Sequence, residues 1–146
     1  MSLHPSTLDD LGVLVTIGWL VREFKRSYRQ LNLETSIDVC EQEIPVSAKT
    51  AIYRIIQEAL SNVLMHARAR NVFLTLRNYR GQFELIIQDD GFGFDPAHVV
   101  AVADGGGVGV PSMRERAAAT GGCFTIDTEA GSGTTVRVAW PSQFSN

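Results

Sequence analysis

Apolar and polar residues alternate with two different periods along this chain. Between residues 9 and 29, and again from about 45 to 67, apolar positions recur at helical spacing, the second time as the stripe Ile52, Ile56, Ala59, Val63 and Ala67. Period-two alternation, typical of half-buried strands, occurs at 33–39, 71–78, 82–89, 122–128 and 134–140. These patterns predict two long helices, an edge strand at 33–39 and two β-hairpins, with Ser47 as the cap of the second helix.

Between Asp95 and Val110 the periodic pattern gives way to small residues, including the run DGGGVGV at 104–110. A proline at the first helical position then predicts a short helix from Pro111, which Gly121 and Gly122 should end. The order of elements predicts an α+β fold, in which helices pack on one face of a mixed, mostly antiparallel sheet.

Composition excludes several classes of protein. The 146 residues, 45% of them hydrophobic, suit one globular domain, and a net charge of −3 offers no bulk attraction to nucleic acid. The longest apolar run, residues 11–21, is about half of a bilayer span, so we expect no membrane contact by this segment. Cys40 and Cys123 lack metal-site spacing and favour a reducing, cytoplasmic setting.

The second helix carries a strip of polar side chains. Glu58, Asn62 and His66 are spaced four residues apart, which places them within a face about 80° wide. Carboxylate and amide oxygens are suitable ligands for Mg²⁺, and a carboxylate can also orient or deprotonate a nucleophile. The same strip is compatible with an ordinary solvated helix face.

Two further segments offer groups for binding. Asp89 and Asp90 end a strand, so their side chains should point to opposite faces, and one carboxylate could accept a hydrogen bond from an exocyclic amine. An ordinary Asp-Gly turn explains them equally well. The glycine loop before Pro111 exposes backbone N–H groups next to a helix N-terminus, which favours an anion such as phosphate; a plain linker is the alternative.

Four motifs follow one another in a characteristic order, in the segments QEALSNVLMHA, DDGFGF, GGGVGVPSMRERA and GSGTTVRV. In that order they resemble the ATP-binding domain of sensor histidine kinases, of the superfamily that includes gyrase and Hsp90. MRERA and HARA resemble the subfamily whose response regulators carry helix-turn-helix (NarL/LuxR-type) outputs. The resemblance implies a Bergerat-type α/β sandwich, with an ATP-binding catalytic core at 45–146 and a leading helix and strand at 1–44.

The resemblance also implies roles for individual residues. Asn62 would hold Mg²⁺, Glu58 would polarise the attacking group or support the metal shell, and Asp89 would accept a hydrogen bond from the adenine amino group. The other ATP-binding positions that it implies are His66, Gly91, Gly93, Gly105, Gly107, Val108, Gly109, Val110, Thr134 and Thr135.

The implied reaction transfers the γ-phosphoryl group of Mg-ATP to a histidine. None of His4, His66 and His98 lies in a dimerisation helix of the expected kind, so the acceptor is expected on a dimerisation domain outside this chain. A homodimeric cytoplasmic or membrane-anchored kinase with a response regulator as partner would follow. The alternatives are a serine kinase that inhibits a sigma factor, and a nucleotide-binding module without turnover, against which the intact Glu58 and Asn62 argue.

Overall fold

The computed structural model describes residues 11–67, 69–91, 110–128 and 131–141, without the side chains of 66, 67, 110 and 111. The helices and strands are α1 (Val13–Ser27), β1 (Asn32–Asp38), α2 (Lys49–Asn62), β2 (Asn71–Tyr79), β3 (Gln82–Asp89), α3 (Val110–Ala119), β4 (Cys123–Thr128) and β5 (Thr134–Pro141). Short 3₁₀ turns at Glu41–Glu43 and Val46–Ala48 precede α2, and a π-helical turn at Val63–Ala67 follows it.

The strands form one five-stranded sheet in the order β1-β2-β3-β5-β4. Strand β1 lies at the edge and runs parallel to β2, and the other neighbours are antiparallel. The β2–β3 hairpin turns through Arg80 and Gly81, both with positive φ, as a tight two-residue turn requires. The mixed, mostly antiparallel sheet, the edge position of β1 and both hairpins confirm the predictions from the sequence.

In the part of the chain that the structure describes, helices cover one face of the sheet. Along β2, Val72, Leu74 and Leu76 are fully buried, whereas the alternate residue Phe73 is 41% exposed. The buried strand residues form a single apolar cluster with those of the helices, including Ile52 and Ile56 of α2. The helices therefore pack on the inner face, where burial of apolar surface stabilises the fold, and Phe73 lies on the opposite, outer face.

The N-terminus of helix α1 is capped by a side chain from outside the helix, which the sequence of the helix did not predict. The carboxylate of Glu41 accepts hydrogen bonds from the backbone N–H groups of Val13 (2.9 Å) and Leu14 (3.0 Å), and Lys49 lies 2.7 Å from it. Burial alone would raise the pKa of Glu41, but these donors outweigh it and lower that pKa. A long-range carboxylate thus caps α1 and joins it to the start of α2.

The long second helix is shorter and less regular than predicted. Ser47 lies in a 3₁₀ turn and makes no capping hydrogen bond, so its predicted role as a cap is wrong. The α-helix ends at Asn62 and continues as a π-helical turn, which interrupts the 3.6-residue period that the sequence pattern assumed. Short α3 begins at Val110, one residue before the predicted start at Pro111, and ends before Gly121, whose positive φ is that of a helix-ending glycine, as predicted.

Most of the predicted glycine loop between Asp95 and Val110 lies outside the described residues. Of the helices that the structure describes, none is both long enough and apolar enough to cross a membrane.

Candidate functional site

Asp89 is the last residue of β3 and lies on the inner face of the sheet, two positions after the buried Ile87. Its Oδ1 atom accepts a hydrogen bond from the backbone N–H of Gly91 at 2.8 Å, and the Thr134 backbone N–H is a further donor. Burial raises the pKa of Asp89 and the neighbouring charge of Asp90 adds to the increase, against the opposing effect of these two donors. No lysine or arginine among the described residues forms a salt bridge with it.

The adjacent Asp90 has a different set of partners. Its Oδ1 atom accepts hydrogen bonds from the backbone N–H groups of Arg70 and Asn71, both at 2.9 Å, and its Oδ2 atom accepts one from Asn71 Nδ2 at 2.8 Å. The Asn71 backbone hydrogen bond is the largest cause of the lowered pKa of Asp90. The two carboxylates separate as predicted, and Asp90 ties the end of β3 to the start of β2.

Asn62, Asp89 and Thr134 line one small cavity between α2 and the sheet, together with the apolar residues Ala59, Val63, Ile87, Ile126 and Val136. The cavity has a volume of about 10 Å³, which is room for one water molecule. A depression of about 150 Å³ adjoins it and shares Asp89 and Thr134. An adenine ring is larger than the space that these described residues enclose.

The two threonines differ in their placement. Thr134 is the register partner of Asp89, is buried, and shares a 2.9 Å hydrogen bond with the hydroxyl of Thr128. Thr135 lies opposite Gln88 and is only partly buried. Of the two predicted positions, Thr134 is the one that adjoins Asp89 in the cavity.

Gly133 is a site residue that the sequence motif alone did not identify. Its φ of +87° is in the left-handed region, and a Cβ atom there would lie 2.3 Å from the backbone oxygen of Asp89. Only glycine lets the β4–β5 turn approach the end of β3 so closely. The GSGTT segment predicted a hairpin turn, but it did not predict that the turn would contact the backbone oxygen of Asp89.

Glu58 lies one helical turn before Asn62 and contacts α3. Its Oε1 atom accepts a hydrogen bond from Ser112 Oγ at 2.8 Å and lies 3.7 Å from Nε of Arg116. Neither partner was predicted, because Ser112 is 54 residues away in the sequence. Asn62, Asp89 and Thr134 thus lie together around one cavity. Glu58 lies on α2, one turn before Asn62.

Most of the remaining predicted ATP-binding positions lie outside the described residues. Gly91 is buried and donates to Asp89. Outside the described residues lie Gly93, Gly105, Gly107, Val108 and Gly109, as well as the side chains of His66 and Val110. A larger open groove, about 840 Å³, lies at the C-terminal end of α1, and none of the predicted site residues lines its described part.

The mixed sheet has helices packed on its inner face, with Asp89 at the end of an inner strand and Asn62 of α2 across a small cavity from it, which is an α/β sandwich arrangement. The family model of histidine kinase-, DNA gyrase B- and HSP90-like ATPases matches residues 47–143. The chain belongs to this family, and membership implies that it binds ATP.

Two curated relatives and a solved structure agree with this assignment. The chain is 32% identical over 142 residues to the histidine-protein kinase/phosphatase UhpB of Salmonella typhimurium, covering 97% of this chain and 27% of that protein. It is 29% identical over 139 residues to DegS of Brevibacillus brevis, also a histidine-protein kinase/phosphatase, covering 95% of this chain and 35% of that protein. The chain therefore spans about a quarter to a third of these relatives.

Among solved structures, the histidine kinase domain of a blue-light activated kinase from Erythrobacter litoralis superposes with a TM-score of 0.71. The match covers 88% of this chain and 60% of that one at 21% identity, which shows the shared fold. The predicted resemblance to histidine kinase ATP-binding domains is confirmed by these findings.

Proposed function

We propose that the chain is the catalytic and ATP-binding domain of a sensor histidine kinase, with residues 45–146 as its core. It binds Mg-ATP and passes the γ-phosphoryl group to a histidine on a dimerisation domain outside this chain. The observation that carries the proposal is the position of Asp89, partly buried beside Asn62 and Thr134 and without a cationic partner among the described residues. A carboxylate in that state gains a partner when an adenine amino group donates to it.

The donor chemistry of α2 fits a magnesium ion. Mg²⁺ requires oxygen ligands and commonly takes only one or two from the protein, the remainder coming from water and phosphate. Asn62 and Glu58 offer an amide and a carboxylate oxygen one turn apart, although the described residues hold no cluster of three acidic or imidazole ligands. When bound, the ion would neutralise charge on the phosphates.

The residues of this chain then act mainly by positioning. A bond forms between the acceptor nitrogen and the γ-phosphorus while the bond to the bridging oxygen breaks, and ADP leaves. Glu58 orients the attacking imidazole or takes its N–H proton, and Asp89 fixes the base by accepting its amino hydrogen. The backbone N–H groups of the glycine loop, Gly105, Gly107 and Gly109, hold the triphosphate.

The wider setting follows from the same proposal. The full-length kinase would be a homodimer that acts on ATP in the cytoplasm and hands its phosphoryl group to a response regulator with a helix-turn-helix output. The names of UhpB and DegS, both signal transduction histidine-protein kinase/phosphatases, support the kinase activity on which this setting depends.

Replacement of the amide ligand tests the proposal. In the full-length kinase, Asn62→Ala should reduce Mg²⁺-dependent phosphohistidine formation by at least about a hundredfold, because positioning of the phosphates is lost. The measurement is transfer of the γ-phosphate label from ATP, with Ser61→Ala as the control, because Ser61 is exposed on the same helix. Activity retained in Asn62→Ala would refute the assigned role of the amide.

A further inference from the structure

Helix α3 presents two of its side chains to Glu58 of α2. Ser112 Oγ donates a hydrogen bond to Glu58 Oε1 at 2.8 Å, and Arg116 Nε lies 3.7 Å from the same oxygen. Because Ser112 and Arg116 are four residues apart on a helix, they lie on one face. The proposed catalytic carboxylate therefore has a hydroxyl and a guanidinium on one of its two oxygens.

The rest of α3 is anchored independently of this contact. Met113 and Ala117 are fully buried in the core, and the Arg114 guanidinium lies over the Phe124 ring of β4 at 4.8 Å. The helix has an apolar attachment, one arginine directed to β4 and another directed to Glu58. The Ser112–Glu58–Arg116 cluster is thus not needed to hold α3 against the sheet.

We propose that Ser112 and Arg116 are positioning residues that fix the orientation of the Glu58 carboxylate for phosphoryl transfer. The inference rests on the proposed function and extends it to α3. One hydroxyl donor and one nearby guanidinium charge on Oε1 favour one rotamer and leave Oε2, which has no hydrogen-bond partner among the described residues, in a defined direction. An exposed glutamate without such partners would spread over several rotamers.

The position of Ser112 in the chain gives the contact a further consequence. Ser112 follows Gly109, the last glycine of the predicted triphosphate loop, by three residues. The side chain that holds Glu58 therefore belongs to the helix that begins where that loop ends. Placement of this helix and orientation of the carboxylate are coupled through one 2.8 Å hydrogen bond.

Kinetics of the full-length kinase separate positioning from simple stability. Ser112→Ala should lower kcat for phosphohistidine formation roughly tenfold, because a hydrogen bond to a charged group is lost, with KM for ATP unchanged. Ser112→Thr keeps the hydroxyl and should restore most of kcat. Arg116→Gln should lower kcat by a smaller factor, roughly threefold, because this arginine is 42% exposed and its attraction is screened.

Arg114→Gln is the matched control, because it removes the same charge from the same helix on the side that faces Phe124. We expect it to leave kcat unchanged. Thermal unfolding of every variant reports any loss of fold separately from loss of rate.

A double-mutant cycle with Glu58→Gln tests whether Ser112 acts through Glu58. If it does, Ser112→Ala should cost little more once Glu58 is replaced, so that the two effects are not additive. Fully additive effects, or unchanged kcat in folded Ser112→Ala, would overturn the positioning role and leave the proposed function intact. Unchanged kcat in Glu58→Gln would instead overturn the catalytic role of Glu58, and the positioning role with it.

Discussion

Strand β3 carries two buried or partly buried acids, Glu84 and Asp89, in contrasting surroundings. Glu84 lies on the outer face, yet its side chain is completely buried beneath Arg77, whose Nε is 2.8 Å away, and Arg137, which also contacts it. Asp89 lies on the inner face, and its hydrogen-bond donors within the described part of the chain are backbone N–H groups. Both residues are acids on the same strand, so residue type alone does not reveal that their surroundings differ.

The pKa values of the two acids shift in opposite directions, although burial acts in the same direction on both. Burial would raise the pKa of Glu84, but hydrogen bonds and charges from Arg137 and Arg77 outweigh it, and the pKa is lowered. Burial raises the pKa of Asp89 and nothing cationic among the described residues compensates. A buried acid with two arginines is explained by the fold, whereas one that remains short of donors indicates a ligand site.

The largest expected effect comes from the glycine that adjoins Asp89. Gly133→Ala should lower the free energy of unfolding by about 3 kcal/mol, since strain at positive φ and overpacking against the Asp89 carbonyl each cost about 1–3 kcal/mol. Chemical denaturation measures the loss. Gly131→Ala is the control, because Gly131 has the same φ of +87° but open space around its Cβ position. Equal losses in both variants would show that the approach to Asp89 is not tight.

The next effect separates the two acids directly. Asp89→Asn should weaken Mg-ATP binding about tenfold to a hundredfold, because a charge-assisted hydrogen bond to adenine is lost, and should not lower stability, because a desolvated charge is removed. Glu84→Gln should do the reverse: unchanged affinity, with a stability loss of about 1 kcal/mol, limited because both arginines are partly exposed. Calorimetric titration measures the affinity of both variants for Mg-ATP, and chemical denaturation measures their stability. Reduced stability in Asp89→Asn together with reduced affinity in Glu84→Gln would contradict the comparison.

The smallest effect is a difference in acid response. Because the folded-state pKa of Asp89 is raised, its charge opposes folding above that pKa and this cost is relieved as the pH falls through it. Glu84 behaves oppositely: its lowered pKa adds stability above the unfolded-state value, which is lost as the pH falls through the folded-state value. Acidification should therefore reduce ATP affinity before it reduces stability, as parallel titrations at several pH values can check. Affinity that persists until the chain unfolds would count against protonation of Asp89.

Local sequence signals predicted much of this molecule. The Arg80–Gly81 turn, the separation of Asp89 from Asp90 and the alternation along β2 and β3 all follow from neighbouring residues. The contact from Glu41 to Val13 and that from Ser112 to Glu58 join residues 28 and 54 positions apart. Such contacts depend on how helices and strands pack against one another, so the hydrophobic periodicity of the sequence does not predict them.

The same limit applies within the site. The spacing of Glu58, Asn62 and His66 assumed a continuous α-helix, but the chain changes to a π-helical turn after Asn62. The width of the cavity beside Asp89 likewise depends on side chains from α2, β3, β4 and β5. The motifs identified candidate site residues, whereas the distances between the side chains of these residues could not be predicted.

The most direct test of the account is the contribution of the adenine ring to binding. The chain should be titrated with Mg-ATP and with the magnesium complex of ribose 5-triphosphate, which keeps a triphosphate and lacks the base. If Asp89 reads adenine, Mg-ATP should bind at least about tenfold more tightly, and Asp89→Asn should remove most of that difference. Equal affinity of the wild-type chain for the two ligands would contradict the account.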